Sequence, residues 1–168
     1  MSVELAVVSD THVPSRAAEI PEWVETRIRA ADHVVHAGDF DSAAAYDRVV
    51  ELAGGADNLT AVVGNIDPRT FDLPVTATLS VEDVQFVVTH GSGSREGYHE
   101  RVAATVQEEG GENAVGISGH THEPADEYVA GVRLLNPGSA TGADPASETT
   151  MYTIVVDGAD LTVTLHRE

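Results

Sequence analysis

The sequence predicts an α/β fold of two packed mixed β-sheets with helices on their outer faces. Strand-like and helix-like segments alternate in the first half of the chain, which is typical of βαβ units. Pairs of strand-like segments joined by short turns fill most of the second half, which is typical of hairpins. No linker, repeat or low-complexity segment interrupts the 168 residues. We therefore expect residues 1–168 to form a single domain.

Short apolar runs alternate with amphipathic segments in the first half of the chain. Ile20, Val24 and Ile28 recur at the four-residue spacing of a helix, and Gly54-Gly55 ends a second helical segment. The apolar runs have the length of strands and end abruptly in polar residues. In chain order, the predicted elements are a strand at 3–8, a helix at 19–31, a strand at 33–37, a helix at 42–53 and a strand at 59–63.

Two turns organise the second half. Glu82-Asp83 separates one pair of strand-like segments, and the polar stretch 157–160 separates the last pair. The predicted elements here are strands at 75–81 and 84–89, a helix at 96–109, and strands at 114–118, 133–135, 149–156 and 161–166.

The chain is strongly acidic, with 28 Asp and Glu residues against 9 basic residues and a formal net charge of -19. All the basic residues are arginine. This balance argues against unspecific nucleic-acid binding, which requires clustered lysine and arginine. Charges of one sign repel each other at low salt but are screened at about 1 M salt, where the Debye length is about 3 Å. We therefore expect a halophilic protein.

The absence of cysteine excludes disulfides, thiolate metal sites and cysteine nucleophiles, so any metal must be held by nitrogen and oxygen. No basic segment precedes the first apolar run, and no apolar run reaches the roughly 18 residues of a membrane span. The expected protein is cytoplasmic and does not bind membranes.

Candidate metal ligands follow five of the predicted strands. Asp10-Thr11-His12 and His120-Thr121-His122 each place two ligand side chains two residues apart, so that both reach one ion from extended backbone. The other ligand positions adjoin a glycine, which allows close backbone approach at a crowded site. The candidate ligands are Asp10, His12, Asp39, Asn65, His90, His120 and His122.

Seven such ligands are too many for one tetrahedral ion but suit two ions about 3.5 to 4 Å apart, the arrangement used for phosphate ester hydrolysis. Two divalent ions bring four positive charges, and Asp10 and Asp39 neutralise two of them. Because Asn65 is neutral, the remaining charge is balanced by a hydroxide and a phosphodiester anion.

These motifs, in this order, resemble the calcineurin-like metallophosphoesterases. Gly64-Asn65-Ile66-Asp67 and the later stretch 136–139 look most like the small prokaryotic phosphodiesterase branch, which is related to the retromer scaffold subunit. The resemblance implies a four-layer αββα sandwich of two mixed sheets flanked by helices. It also implies two divalent metal ions, with manganese favoured and zinc, iron, nickel and cobalt compatible. The implied ligand sets are Asp10, His12, Asp39 and His122 for one ion, and Asp39, Asn65, His90 and His120 for the other.

The expected function is a metal-dependent phosphoesterase acting on a small phosphate ester. A hydroxide bridging the ions attacks phosphorus in line, while Asn65 and His90 stabilise the equatorial oxygens. Ile66 stands where many relatives have a general-acid histidine, and its loss favours phosphodiesters with stable leaving groups over phosphomonoesters. Asp67 is a weaker candidate for that acid, and Arg95 is a weak candidate for contact with substrate.

Several alternatives stay open at this point. The chain is alternatively a non-catalytic metal-binding scaffold of the same fold, or a nuclease, and a homo-oligomer is compatible with the sequence. His36 either orients Asp39 or packs within its strand. Arg16 and Arg69 also lie near motif loops and compete with Arg95 for phosphate, although arginines in so acidic a chain commonly pair with carboxylates.

If the acidic surface is an adaptation to high salt, the thermal unfolding midpoint rises as KCl increases from low to molar concentration, because screening weakens the repulsion within the folded chain. Calorimetry or circular dichroism against KCl concentration measures this. An unfolding midpoint that stays constant across the series contradicts the halophilic interpretation.

Overall fold

The computed structural model describes residues 2–168 as two five-stranded sheets and three α-helices. The helices are α1 (Glu22–Ala30), α2 (Ala43–Ala53) and α3 (Tyr98–Gly110). The strands are β1 (Ser2–Val8), β2 (His33–His36), β3 (Leu59–Ala61), β4 (Thr76–Val81), β5 (Val84–Thr89), β6 (Val115–Ile117), β7 (Pro124–Val129), β8 (Val132–Pro137), β9 (Thr150–Asp157) and β10 (Asp160–Arg167).

Both sheets are mixed. The first sheet has the order β10-β9-β1-β2-β3, with β1, β2 and β3 parallel and β9 and β10 antiparallel. The second has the order β4-β5-β6-β8-β7, with β5, β6 and β8 parallel and the two edge strands antiparallel. The parallel strands of each sheet thus direct their carboxyl ends, and the loops that follow them, to one edge.

Alternate residues of each central strand face different layers. Leu5 and Val7 of β1 belong to the core between the two sheets, whereas Ala6 and Val8 pack beneath α1 and α2. In the second sheet, Phe86 and Val88 join the central core, while Val87 and Leu134 pack against α3. These three buried clusters confirm the predicted αββα order of layers.

The residues at the two ends of α2 determine where this helix begins and ends. The Ser42 hydroxyl accepts a hydrogen bond from the Ala45 backbone N–H at 3.1 Å and so caps the first turn. Gly54 adopts a left-handed conformation at the other end, which a residue with a side chain adopts only at a cost. The helix therefore occupies the predicted segment. Helix α1 begins at Glu22, later than predicted, because Pro21 serves as its N-cap residue.

Strand β7 was not predicted from the sequence. It is an edge strand with exposed Asp126, Glu127 and Tyr128, so it lacks the alternating apolar pattern of a half-buried strand. A turn at Ala130-Gly131, where both residues have positive φ, joins β7 to β8. Pairing with β8 rather than apolar burial holds this strand in place.

Within residues 2–168, every helix is too short or too polar to cross a lipid bilayer.

Candidate metal centre

The candidate ligands lie in five loops at one edge of the two facing sheets. Those of the first half follow β1, β2 and β3, and those of the second half follow β5 and β6. Because β1, β2 and β3 run parallel to each other in the first sheet, and β5 and β6 do so in the second, their carboxyl ends bring the loops together. Two groups of ligand atoms, each within 4.8 Å of one another, result: Asp10, His12 and His122, and Asp39, His90 and His120.

One carboxylate oxygen lies between the two groups. Asp39 Oδ2 is 3.6 Å from His12 Nε2 and 3.2 Å from His90 Nε2. Asn65, whose side chain completes the second group, has its Oδ1 3.0 Å from His90 Nε2. The arrangement allows Asp39 to bind two cations at once.

Asp10 has one oxygen that lacks a hydrogen-bond donor. Its Oδ2 accepts hydrogen bonds from the Ser9 hydroxyl at 2.7 Å and from the His120 backbone N–H at 3.0 Å. Its Oδ1 is buried and has no hydrogen-bond partner within residues 2–168, although His122 Nε2 lies 3.3 Å away. A buried carboxylate oxygen without a donor is costly unless a cation offsets its charge. The site therefore fits a metal ion.

Hydrogen bonds to backbone carbonyls orient three of the four candidate imidazoles. His90 Nδ1 donates to the Ala37 carbonyl at 2.7 Å, and His122 Nδ1 donates to the Ala143 carbonyl at 2.8 Å. A carbonyl only accepts, so the lone pair of each neutral ring is on Nε2, which faces the carboxylates. His120 Nε2 donates to the Gly93 carbonyl at 2.8 Å, which leaves Nδ1 as its ligand atom.

The spacing of these atoms matches the first coordination sphere of an ion. Ligand atoms bound to one ion at about 2.1 Å lie roughly 3.0 to 3.4 Å from each other. His12 Nε2 and His122 Nε2 are 3.1 Å apart, and His122 Nε2 is 3.3 Å from Asp10 Oδ1. The two groups thus offer converging N and O atoms of the type that binds divalent transition metals.

Five of the seven ligand residues have backbone conformations that favour glycine. Positive φ angles at non-glycine residues cost about 1 to 3 kcal/mol each and are maintained by surrounding structure. They occur at Asp10 (53°), His12 (45°), Asp39 (65°), His120 (75°) and His122 (64°). The loops that carry the candidate ligands therefore have a strained backbone, which contacts with the surrounding residues maintain.

Side chains from the end of β8 and from the loop after it hold two of these turns. The Ser139 hydroxyl donates to the Asp10 carbonyl at 2.8 Å, and the Thr141 hydroxyl donates to the Thr11 carbonyl at 2.8 Å. Asn136 Nδ2 donates to the Gly119 carbonyl and to the Thr121 hydroxyl, both at 3.0 Å. Residues 136–141 thus support the ligand pairs that follow β1 and β6.

Two neighbouring glycines are required by crowding at the centre. A Cβ atom at Gly64 would overlap Asp39 Oδ1, and one at Gly119 would overlap the Ser9 hydroxyl. Glycine beside the ligands thus allows the close backbone approach that the sequence pattern indicated.

A family model described as the calcineurin-like phosphoesterase superfamily domain matches residues 3–159. The chain belongs to this superfamily. It is 33% identical to a probable metallophosphoesterase of Methanothermobacter thermautotrophicus, over 94% of this chain and 88% of that protein. It is 31% identical to Phosphodiesterase MJ0936 of Methanocaldococcus jannaschii, over 83% of this chain and 86% of that protein. The structure of Chaetomium thermophilum Vps29 has the same fold, with a TM-score of 0.85 at 20% identity, over 98% of this chain and 88% of that chain.

In this superfamily member, the charged groups of the centre shift the pKa values of their neighbours. Burial by itself would raise the pKa of Asp10, but the nearby imidazoles of His12 and His122 and the charge of His90 hold it well below its usual range. Burial by itself would lower the pKa of His90, but the hydrogen bond to Asp39 and the charges of Asp10 and Asp39 raise it to about 9. The two carboxylates therefore remain ionised and attract positive charge.

His36 connects the ligand loops that follow β1 and β2. Its Nδ1 accepts a hydrogen bond from the Gly38 backbone N–H at 3.1 Å, and its Nε2 lies 3.1 Å from the Thr11 hydroxyl. Its ring stacks on Phe40 at 3.6 Å, and burial lowers the pKa of His36 to about 3. His36 is thus a buried, packed histidine that contacts the backbone of Gly38, the residue before Asp39, and its orientation of Asp39 stays a prediction.

Asp67 and Arg95, the weaker candidates, have other partners. The Asp67 carboxylate accepts hydrogen bonds from the backbone N–H groups of Gly64 at 2.8 Å, Asp41 at 2.9 Å and Asp39 at 3.0 Å. It thus joins the Asn65 loop to the Asp39 loop. Arg95 pairs with exposed Glu123 at 3.3 Å. Proton transfer by Asp67 and substrate contact by Arg95 stay predictions.

The raised pKa of His90 predicts that the metal-free protein loses stability as the pH rises. A histidine whose pKa is higher in the folded than in the unfolded chain contributes stability that is complete below 6.5 and lost as the pH rises through about 9. Urea unfolding in the presence of a chelator, at pH values below and above this window, measures the change.

The matched control for this experiment is His99→Gln, because His99 is exposed and pairs with Glu127 at the surface. This variant should retain the pH dependence, whereas His90→Asn should lose most of it. Equal unfolding free energies of the metal-free wild-type protein below pH 6.5 and above pH 9 would contradict the electrostatic description of the site.

Asn136→Ala should weaken metal binding about 10- to 100-fold, because groups that orient metal ligands typically contribute this much to affinity. Calorimetric titration of the variant with Mn²⁺ or Zn²⁺ measures the loss, and circular dichroism checks that it is folded. Asn113→Ala, an exposed position before β6, serves as control. Unchanged affinity in Asn136→Ala would show that the histidine turn needs no such support.

Proposed function

We propose that this superfamily member is a dinuclear metal-dependent phosphodiesterase. The observation that carries the proposal is the position of Asp39 Oδ2, within 3.6 Å of His12 Nε2 and 3.2 Å of His90 Nε2, one histidine from each group. A carboxylate shared in this way supports two ions at the spacing used by phosphoesterases.

Each ion would have four protein ligands that share Asp39. The first set is Asp10, His12, Asp39 and His122, and the second is Asp39, Asn65, His90 and His120. The donor set of imidazole, carboxylate and amide suits manganese, with zinc, iron, nickel and cobalt as compatible metals. Two bound ions would supply positive charge for the phosphoryl oxygens and make a water molecule acidic enough to attack phosphorus.

The protein's own residues hold the reacting groups in place. Asp10 and Asp39 supply the negative charge that retains the cations, and the neutral amide of Asn65 adds a ligand without reducing the positive charge available to phosphate. The carbonyl partners of His90 and His122 fix the directions of their free nitrogens. Such preorganisation favours an in-line displacement without a covalent enzyme intermediate.

The preference for diesters rests on residue 66. The Ile66 backbone N–H donates to Asp39 Oδ1 at 3.1 Å, so the residue supports the bridging carboxylate, but its side chain has no proton to donate. A general acid typically contributes about 10²- to 10⁴-fold, and esters whose leaving oxygen is already stable depend on it least. The name of the relative MJ0936, a phosphodiesterase, agrees with this preference.

The contrasting candidate is a non-catalytic scaffold, which the fold shared with Vps29 brings into consideration. A metal-binding scaffold would also use the unpaired Asp10 Oδ1 and the ligand groups, so turnover is the property that separates the two candidates.

The deciding assay compares bis-p-nitrophenyl phosphate with p-nitrophenyl phosphate in the presence of Mn²⁺, at low and molar salt. We expect turnover of both, with the diester preferred, and a loss on the order of a hundredfold or more in Asp39→Asn, which retains the size of the side chain. Glu19→Gln, an exposed acid of the loop before α1, controls for the change in charge.

Preference for the monoester would contradict the inference from Ile66 while leaving the dinuclear centre intact. Absence of turnover with any of the five metals would favour the scaffold.

A further inference from the structure

Arg16 and Arg95, two arginines near the loops of the centre, have different partners. Arg95 pairs with Glu123, and elsewhere Arg48 pairs with Glu25 at 2.9 Å. Arg16 is exposed and forms no ion pair within residues 2–168; its Nη1 donates to the Asp144 carbonyl at 2.8 Å. In a chain with a net charge of -19, an arginine without a carboxylate partner has its charge available for an anionic ligand.

The carbonyl that binds Arg16 adjoins the carbonyl that orients a metal ligand. His122 Nδ1 donates to Ala143 O, and Arg16 donates to the next carbonyl along the chain. The guanidinium therefore lies beside His122.

The loop that carries Arg16 is rigidly attached to the centre. The Arg16 N–H donates to the His12 carbonyl at 2.9 Å, and the Ser15 N–H donates to the Asp41 carboxylate at 2.7 Å. The Ser42 hydroxyl donates to the Val13 carbonyl at 2.9 Å. The backbone of Arg16 is thus fixed before any ligand binds, which lowers the entropy lost on binding.

We propose that Arg16 binds a phosphoryl oxygen of the substrate on the side of the centre formed by Asp10, His12 and His122. The proposal rests on the proposed phosphoesterase function and identifies a residue that determines affinity for the phosphate group. A guanidinium has five N–H donors in a planar fork that fits phosphate, and the Asp144 carbonyl occupies one of the two Nη groups. The structure thus favours Arg16 over Arg95 for this contact.

Charge balance adds a consequence for substrate class. With two divalent ions, Asp10, Asp39 and a hydroxide, a phosphodiester monoanion already reaches neutrality, whereas a phosphomonoester dianion leaves one negative charge in excess. Arg16 offsets that excess. Its removal therefore affects dianionic phosphates more than monoanionic diesters.

The test compares Arg16→Gln and Arg16→Lys with Arg29→Gln, which removes the same charge from α1, where Arg29 lies 4.0 Å from Glu25. Inorganic phosphate is the probe, measured by calorimetry on the metal-loaded protein and by competitive inhibition of diester hydrolysis. We expect about tenfold weaker phosphate binding in Arg16→Gln, partial recovery in Arg16→Lys and wild-type behaviour in Arg29→Gln. KM for p-nitrophenyl phosphate should rise more than KM for the diester.

Metal affinity and the free energy of unfolding should remain at wild-type values in Arg16→Gln. Unchanged phosphate binding in this variant overturns the proposal, and so does a parallel loss of metal affinity, because Arg16 would then only support the His122 loop. Wild-type protein that hydrolyses neither ester contradicts the proposed function instead. The calorimetric comparison decides the role of Arg16 in either case, since it requires no turnover.

Discussion

The buried carboxylate of Asp10 is the constraint on which the architecture of the centre depends. It follows β1 of the first sheet, yet its Oδ2 is bound by the backbone of His120, which follows β6 of the second. Its own N–H donates to the Gly38 carbonyl at 3.0 Å, and its carbonyl accepts from Ser139. One residue thus connects four loops, and its charge must be compensated where water is excluded. The neighbouring histidines and glycines can be understood as responses to that requirement.

The strain in the ligand loops has the same origin. For side chains to converge at the end of a strand, the backbone must turn within one or two residues. The left-handed conformations of His12 and His122 make this turn. Flanking glycines remove the Cβ atoms that would block it, and hydroxyl or amide groups bind the exposed carbonyls. The cost of strain is therefore met by hydrogen bonds from residues that are not ligands themselves, such as Asn136 and Ser139.

The fold was predictable from sequence wherever burial leaves an apolar pattern. The nearly continuous apolar runs of β1 and β5 and the four-residue spacing of α1 reflect this burial, and the structure reproduces them. The polar strand β7 escaped prediction because backbone pairing alone defines it.

The candidate ligands were also found from sequence, because polar residues that interrupt apolar runs are conspicuous. The residues that support them were harder to recognise. His36 and Asn136 form hydrogen bonds that reach across 25 and 17 positions, for which sequence spacing gives no indication. The same reason explains why Arg16 and Arg95 could not be ranked: the difference lies in which partner each side chain meets in three dimensions.

The division of ligands between the two sheets has a consequence for folding. His12 and His122 are 110 positions apart in sequence, and a chain with only one sheet formed has an incomplete ligand set. Tight metal capture therefore requires that the two sheets have already docked in register. An ion bound there stabilises the completely folded protein relative to partly folded chains, because partly folded chains bind it weakly.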